Sequence, residues 1–286
     1  MDLSVIIPCH NEESTLPAQL DALEAQHVDR DWEVIVVDNN STDATAVLVA
    51  ERMGSWRRLR LVSAPDGQGL CHARNAGVAA SSGRSLLFCD GDDVAAPGWV
   101  AALADALDEH PLVTGRLEVE RLNPAWLSLS RGDAAMTAGP PRFAGTFAYA
   151  SGGNQGMHRE LFDRVGGFTE GIAGAEDMEF SLKCLEVGVE VRQVPDAVMH
   201  YRYRTTPAEL FRQGLTYGSC RPLIARRMVE AGMPRPPRLH GWRSWLWLAV
   251  KLPSLLTRPG RANWAWVAGN RLGHLVGSIR HRTLML

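Results

Sequence analysis

Apolar positions along the first hundred residues alternate between two periods. Leu3-Ser4-Val5-Ile6-Ile7 is a β-branched apolar run read as a strand, closed by Pro8. From Ser14 to Ala25 the apolar residues Leu16, Leu20 and Leu23 recur at helical spacing. Glu33-Val34-Ile35-Val36-Val37 is a second strand, nearly all apolar, as expected where both faces of a sheet are covered. The polar turn Asp38-Asn39-Asn40-Ser41-Thr42-Asp43 opens a helix from Ala44 to Met53. Leu59 to Val62 is a third strand, Ala73 to Ser81 a helix ending near Gly83, and Ser85 to Cys89 a fourth strand. Strand and helix alternate at short intervals, which predicts a parallel α/β sheet of βαβ units.

The pattern changes after Gly98. A helix is expected from Val100 to Glu109, a strand from Leu112 to Val119, and an irregular stretch with some helix from Asn123 to Gly139. Phe147–Ala150 and Gln155–His158 flank Ser151-Gly152-Gly153, where glycines permit close backbone approach to a ligand. Short helices follow over Glu160–Val165 and Glu176–Val187, then a strand over Val189–Val194 and the segment Ala197-Val198-Met199-His200.

At 286 residues the chain can hold one large α/β domain with an appendage. The expected division is a catalytic domain over 1–215, with a nucleotide-binding half (1–100) and an acceptor half (101–215), and a tail over 216–286. Hydrophobic content of 45% and a net charge of −2 are those of a soluble globular protein, and no nucleic-acid partner is expected. Charge is uneven, however. Residues 221–286 hold twelve Arg or Lys against the single acid Glu230, so the remainder is strongly acidic. Five of the nine tryptophans (Trp242, Trp245, Trp247, Trp264, Trp266) lie in the same tail. The five cysteines are widely spaced with no CxxC pair, which argues for reduced thiols and a cytoplasmic setting. Met1 to Pro8 has neither the basic region nor the apolar length of a signal peptide.

Candidate chemistry gathers where strands hand over to turns. Pro8-Cys9-His10-Asn11-Glu12 follows the first strand, Asp38 with Asn40 the second, Gly69 with Arg74-Asn75 the third, and Asp90-Gly91-Asp92-Asp93 the fourth. In a parallel sheet those turns share one edge and make one crevice. Three carboxylates in four residues repel one another unless a cation neutralises them, and hard oxygen ligands suit Mg2+ or Mn2+. Taken alone, the cluster reads equally well as a solvated turn that caps the next helix. There is no GxGxxG after the first strand and no GxxxxGK[ST], so a nucleotide diphosphate held through a metal is favoured over a glycine-rich phosphate cradle. Within the cluster Asp92 is expected to be the direct ligand, Asp90 to face the nucleotide or a metal-bound water, and Asp93 to cap the following helix. Glu176-Asp177 is a second acidic pair, which on its own reads as complementing a helix dipole. Gly166, Gly167, Gly171 and Gly174 precede it as a shaped loop, and a carboxylate there could deprotonate an acceptor hydroxyl. Gly152, Gly153 and Asn154 are expected on the acceptor side. His200 is a candidate further metal ligand, although a lone histidine is more often structural.

These residues, in this order, resemble the family 2 glycosyltransferases of the GT-A fold over about residues 3–202. The matching segments are Ser4-Val5-Ile6-Ile7-Pro8 with Asn11-Glu12, Val36-Val37-Asp38 with Ser41-Thr42-Asp43, and Ala73-Arg74-Asn75-Ala76-Gly77. Asp90-Gly91-Asp92-Asp93, Val165-Gly166-Gly167-Phe168 and Glu176-Asp177 complete the set. The resemblance implies a Rossmann-like mixed sheet flanked by helices and a nucleotide-sugar donor, with UDP favoured and GDP or dTDP as alternatives. It implies base and ribose held by Asp38 and the turn after Pro8, Asp90 and Asp92 as the DxD pair, and His200 on the metal. It also implies Asp177 as catalytic base in an inverting single displacement, in cell-envelope glycan, glycolipid or secondary-metabolite biosynthesis. Cys9-His10 departs from the family's usual residues at that turn. A sugar-nucleotide pyrophosphorylase usually has a Gly/Arg-rich loop with a lysine after the first strand, absent here; a non-catalytic nucleotide-sugar-binding protein would lack the DxD or the acidic pair.

The tail lies outside the resemblance. Trp242-Arg243-Ser244-Trp245-Leu246-Trp247-Leu248-Ala249-Val250 is far short of the ~20 residues of a spanning helix. Basic, Trp-rich helices over 240–286 either lie at the inner face of the cell membrane or pack on the catalytic domain.

Overall fold

The computed structural model describes residues 1–131, 139–235 and 241–285. Its centre is an eight-stranded sheet in the order β3-β2-β1-β4-β9-β6-β10-β5. In chain order these are β1 (Leu3–Cys9), β2 (Trp32–Asp38), β3 (Leu59–Ser63), β4 (Ser85–Cys89), β5 (Val94–Ala95), β6 (Leu112–Glu118), β9 (Asn154–His158) and β10 (Arg192–His200). A separate two-stranded ribbon joins β7 (Arg142–Phe143) to β8 (Phe147–Ala148). The four strands of the first half are mutually parallel, whereas β9 runs antiparallel to both β4 and β6. The sheet is therefore mixed, and the purely parallel pattern stops where the helix–strand alternation of the sequence stops.

Strand period decides which side each residue serves. On β1, Val5 and Ile7 enter one core with Val34 and Val36 of β2, while Ile6 enters the opposite core with Ile35 and Val37. The first core is closed by α1 (Leu16–Glu24), α2 (Thr45–Met53) and α4 (Trp99–Leu107) through Leu16, Leu20, Leu23, Val49 and Leu103. The second is closed by α3 (Leu70–Ala80), α6 (Arg159–Val165) and α7 (Glu176–Glu186) through Ala73, Val78, Leu161, Phe162 and Phe180. Each such aliphatic or aromatic side chain contributes about 1.5–3 kcal/mol on burial. That is why these strands carry so few polar residues.

Several boundaries differ from expectation. The first strand continues through Pro8 to Cys9; the β1–β4 ladder ends at Ile6, so the missing proline N–H breaks no pair on that side. The expected segments 189–194 and 197–200 are one strand, β10, which starts only at Arg192 and carries an irregularity between Val194 and Val198. In the stretch 123–139, expected to be irregular with some helix, α5 (Ala125–Arg131) is the helical part, and residues 132–138 lie outside the described residues.

The tail is three helices: α8 (Pro207–Glu230), α9 (Trp242–Val250) and α10 (Arg258–Arg280), with a 3-10 turn at Leu252–Leu256. Thr206 accepts from the Glu209 backbone while the Glu209 carboxylate receives the Thr206 N–H, a capping box that starts α8 at Pro207. The boundary expected at 215/216 falls inside this continuous helix. Helices α8 and α10 meet almost backbone to backbone. A Cβ at Gly269, Gly273 or Gly277 would lie 2.2, 2.4 or 2.2 Å from the carbonyl oxygens of Phe211, Leu215 and Ser219, and one at Gly218 would lie 2.2 Å from that of Asn270. Only glycine allows so close a seam. α10 also packs on α5. No described helix is long and apolar enough to cross a membrane.

Candidate active site

The parallel register brings the strand ends to one edge: Cys9 pairs with Asp38, and Asp38 with Ser63. The turn after β4 places Asp90, Asp92 and Asp93 so that one oxygen from each lies within 4.8 Å of the others. Gln19 on α1 fixes this turn. Its amide donates to the Asp90 carbonyl at 3.2 Å and its oxygen accepts the Ala95 N–H at 2.8 Å. Gly91 abuts Glu12, whose Oε2 would touch any side chain placed there.

Four carboxylates crowd this turn. Burial first, then Asp92 and Asp90, push Glu12 up to about 8. Burial followed by Asp90 raises Asp92, and burial followed by Asp92 and Asp90 raises Asp93 strongly. Glu12 Oε2 and Asp93 Oδ2 are buried with no hydrogen-bond partner. Hard oxygen donors, mutual repulsion and two orphaned carboxylate oxygens together fit a divalent cation. Protein cations supply partial compensation: Arg204 reaches Asp92 Oδ2 at 3.2 Å, and Arg202 donates from its side chain to the Asp92 carbonyl and from its backbone to Asp93. Asp93 is fully buried by that contact, and α4 starts at Trp99 behind Gly98. Its expected helix-capping role is therefore corrected: it belongs to the carboxylate cluster.

Arg74 connects this cluster to the second acidic pair. Its side chain is 1% exposed, lies 3.1 Å from Asp90 and 3.5 Å from Glu176, and stacks over Phe168. Glu176 is locked, accepting also from the Gly174 N–H at 2.8 Å. Asp177 next to it is half-buried, held by the Met178 N–H at 2.7 Å and more loosely by that of Gly152 at 3.4 Å. Burial and then the Glu176 charge raise Asp177 to about 7, against the pull of Arg74.

Asp90, Arg74, Glu176, Asp177, Gly152 and Gly153 line one cavity of about 400 Å3. Gly153 lies so close to Asp90 that a Cβ would sit 2.5 Å from its carboxylate. The far wall comes from the tail: Tyr217 and Arg221 of α8 and Trp266 of α10, with Tyr149 and Tyr201 beside them. Helices α8 and α10 thus pack on the catalytic half and complete the cavity.

Other expected site residues serve different ends. Asn154 is fully buried with every polar atom of its side chain spent: Oδ1 accepts from the Trp99 indole at 2.8 Å, and Nδ2 donates to the Arg116 and Ala197 carbonyls at 3.1 Å each. It is a core ligature, and its placement on the acceptor side is corrected. Asn75 clamps the glycine loop, donating to the Phe168 carbonyl and accepting the Phe168 N–H. Asn11 ties the first turn to the second through Ser41 and Thr42. His200 is not among the clustered carboxylates: its Nδ1 faces Glu118 Oε2 at 2.5 Å and its Nε2 faces Arg121 at 3.0 Å. Asp38 ends β2 with Oδ1 buried and unpartnered. Near it, His10 contacts the Asn39 carbonyl, Asn40 donates to the Gly67 carbonyl, and the Gly69 N–H donates to Asn39 Oδ1. Pro8 contributes only backbone, inside the strand.

Sequence reasoning passed over Gln19, Asn39, Arg204 and the tail residues Tyr217, Arg221 and Trp266. Asn39 joins three strand ends, donating to the Ala64 and Gly67 carbonyls at 2.7 and 2.8 Å. In Asp38-Asn39-Asn40 nothing in the residue types says which asparagine turns inward. The charge imbalance of the tail was the available signal for Arg221.

A mixed, helix-flanked sheet with acidic turns at its strand ends defines a GT-A nucleotide-sugar transferase fold. The chain matches the family described as Glycosyl transferase family 2 over residues 4–166, more than half its length, and belongs to that family. It is 25% identical over 282 residues to the pre-mycofactocin glycosyltransferase of Mycobacterium tuberculosis, covering 95% of this chain and 57% of that protein. In structure it is similar to the mannosyltransferase PcManGT of Pyrobaculum calidifontis, solved with GDP-Man and Mn2+, at a TM-score of 0.64 and 21% identity over 96% of this chain and 86% of that one. The glucosyl-3-phosphoglycerate synthase of M. tuberculosis, solved with Mn2+, UDP and glucosyl-3-phosphoglycerate, gives a TM-score of 0.55 at 25% identity, covering 82% and 81% of the two chains. The chain spans less than two thirds of the length of the first curated relatives it matches.

Proposed function

We propose that this glycosyltransferase moves a sugar from a nucleotide diphosphate, UDP by preference, to an acceptor hydroxyl with inversion, using Mn2+ or Mg2+. The observation that carries the reading is one cavity lined by both Asp90, a member of the Asp90–Asp92–Asp93 cluster, and the Glu176-Asp177 pair, with buried Arg74 bridging Asp90 to Glu176. Asp92 and Asp90 would hold the metal, which when bound stabilises the departing diphosphate as a Lewis acid. His200 would join them only by releasing Arg121. Asp38, with the turn from His10 to Glu12, takes the base and ribose. Arg74 and Asn75 keep the two acidic segments in register, Arg74 directly and Asn75 through the glycine loop.

Asp177 is the base. Its carboxylate takes the proton as the acceptor oxygen attacks the anomeric carbon and the bond to the diphosphate oxygen breaks. A pKa raised to about 7 suits proton transfer near neutrality. Gly152 and Gly153 let the acceptor approach the backbone, and the tail wall bounds its space. The outward face of α9 and the 3-10 turn, with Trp242, Leu246, Val250, Leu252 and Leu256 exposed beside Arg243 and Lys251, supports a peripheral membrane location and an acceptor in cell-envelope or secondary-metabolite glycosylation. Retention on anionic over neutral vesicles, lost on replacing Trp242 and Leu246 by serine, tests that location.

The deciding experiment is a nucleotide-sugar panel with Mn2+, followed by proton NMR of the product. Binding abolished by EDTA and an inverted anomeric proton are expected. Metal-independent UDP binding, or a retained configuration, refutes the reading.

A further inference from the structure

The tail's positive charge is not spent on its own acids. Its one carboxylate, Glu230, pairs with Arg226 at 2.8 Å on the surface of α8, and Arg227 reaches back to Glu179. Arg221 and Arg271 receive no carboxylate among the described residues. Arg221 is half-buried, lines the cavity, and has its Nε shut off from water with no acceptor. Arg271, from α10, is 8% exposed; its Nη2 donates to Asn270 Oδ1 at 2.7 Å, while its Nη1 is buried without a partner. Burial, and then the neighbouring Arg221 charge, lower Arg271 to about 10.

Two adjacent guanidiniums, both partly desolvated and neither neutralised, oppose folding unless something supplies the counter-charge. Of the two, Arg221 sits in the wall of the reaction cavity. Tyr149, Asp177 and Arg221 line the same cavity, so the cation and the base face one space. The carboxylate cluster at the other end has its own cations, Arg202 and Arg204.

We propose that Arg221, backed by Arg271, is an anion subsite for the acceptor, so that the hydroxyl presented to Asp177 belongs to a molecule bearing a phosphate or carboxylate. This rests on the glycosyl-transfer reading above. Arginine's planar fork suits an oxyanion, and Tyr217 and Trp266, packed edge to face at 5.6 Å, line the same cavity. The anion could be a soluble metabolite's or a lipid headgroup's.

The test uses the full chain with Mg2+ and UDP, so that the nucleotide site is filled. Methyl phosphate is titrated at constant ionic strength and followed by thermal shift, for wild type, Arg221→Gln and Arg221→Lys. Wild type should be stabilised, Arg221→Gln should bind about tenfold more weakly, and Arg221→Lys should retain most of the affinity. UDP affinity should be the same in all three. Absence of methyl phosphate binding to wild type, or equal binding by Arg221→Gln, overturns the proposal. A parallel loss of UDP affinity in Arg221→Gln also overturns it, because the anion would then be the donor's diphosphate. Should wild type fail to bind UDP, the glycosyl-transfer reading fails separately, and the same titration on the unloaded chain still decides the subsite. A second arm uses phosphatidylcholine vesicles with and without phosphatidic acid. Retention that requires both phosphatidic acid and Arg221 supports the subsite with a lipid source. Retention indifferent to Arg221, with methyl phosphate bound, supports it with a soluble one.

Discussion

Replacing Asp177 with asparagine should make the protein more stable and nearly inactive, with a stability gain that depends on pH. The carboxyl titrates at about 7 in the folded protein against a reference of 3.8, because burial and then Glu176 disfavour its charge. The folded state therefore binds this proton more tightly than the unfolded chain. Stability is intact below pH about 3.8, declines as pH rises through the window to about 7, and is flat above it. The full difference, about three pKa units, corresponds to roughly 2–4 kcal/mol once partial solvent screening of a half-buried group is allowed for. Asparagine keeps the oxygen that accepts the Met178 N–H and removes the charge. Urea unfolding at pH 8 should show most of that gain, and at pH 5 less than about 2 kcal/mol. Turnover should fall about 10²–10⁴-fold, the usual contribution of a positioned general base. A gain equal at both pH values refutes the titration argument. More than a tenth of the wild-type turnover refutes the assignment of the base.

Arg74→Met removes the buried cation between Asp90 and Glu176, leaving their charges uncompensated; a loss of about 3–5 kcal/mol is expected by urea unfolding. Its pH–rate profile should also move its acidic limb upward, because Arg74 holds Asp177 down. Mn2+ should raise the melting temperature of wild type by relieving the carboxylate cluster, and Asp92→Asn should raise the metal-free value while abolishing the rise. Asn154→Ala strands the Trp99 indole and two carbonyls, so a loss of about 3 kcal/mol or more is expected with no specific change in acceptor KM.

What could be read in advance followed from periodicity. The runs at Leu3–Ile7, Glu33–Val37 and Ser85–Cys89 share one reason for their apolar character, burial on both faces, so the parallel first half and its common edge followed, while the order of the strands did not. The polar turns at those edges were legible because buried strands leave few other positions for carboxylates. Asn154 misled because an asparagine beside two glycines looks like a ligand loop; only the fold shows that Trp99, ten residues beyond the end of β4, turns its indole toward it. Asn75 misled similarly, since Arg74 and Asn75 are neighbours in sequence yet face an acidic pair and a backbone loop respectively. The Trp- and Arg-rich tail could be seen as unusual, but its amphipathic period gives no partner. For α8 and α10 that partner is the catalytic half itself, reached through contacts far apart in sequence.

The glycine seam between α8 and α10 has a consequence for how this enzyme could change its substrate. With no layer of side chains between the helices, neither can slide or tilt alone, and Tyr217, Arg221 and Trp266 stand on one rigid plate. New acceptors could be admitted by exchanging residues on the plate's inner face, one at a time, while the plate stays put. A single alanine in the seam would do the opposite: it would displace all three recognition residues together, far from any of them in chemistry, and alter selectivity without touching a contact residue.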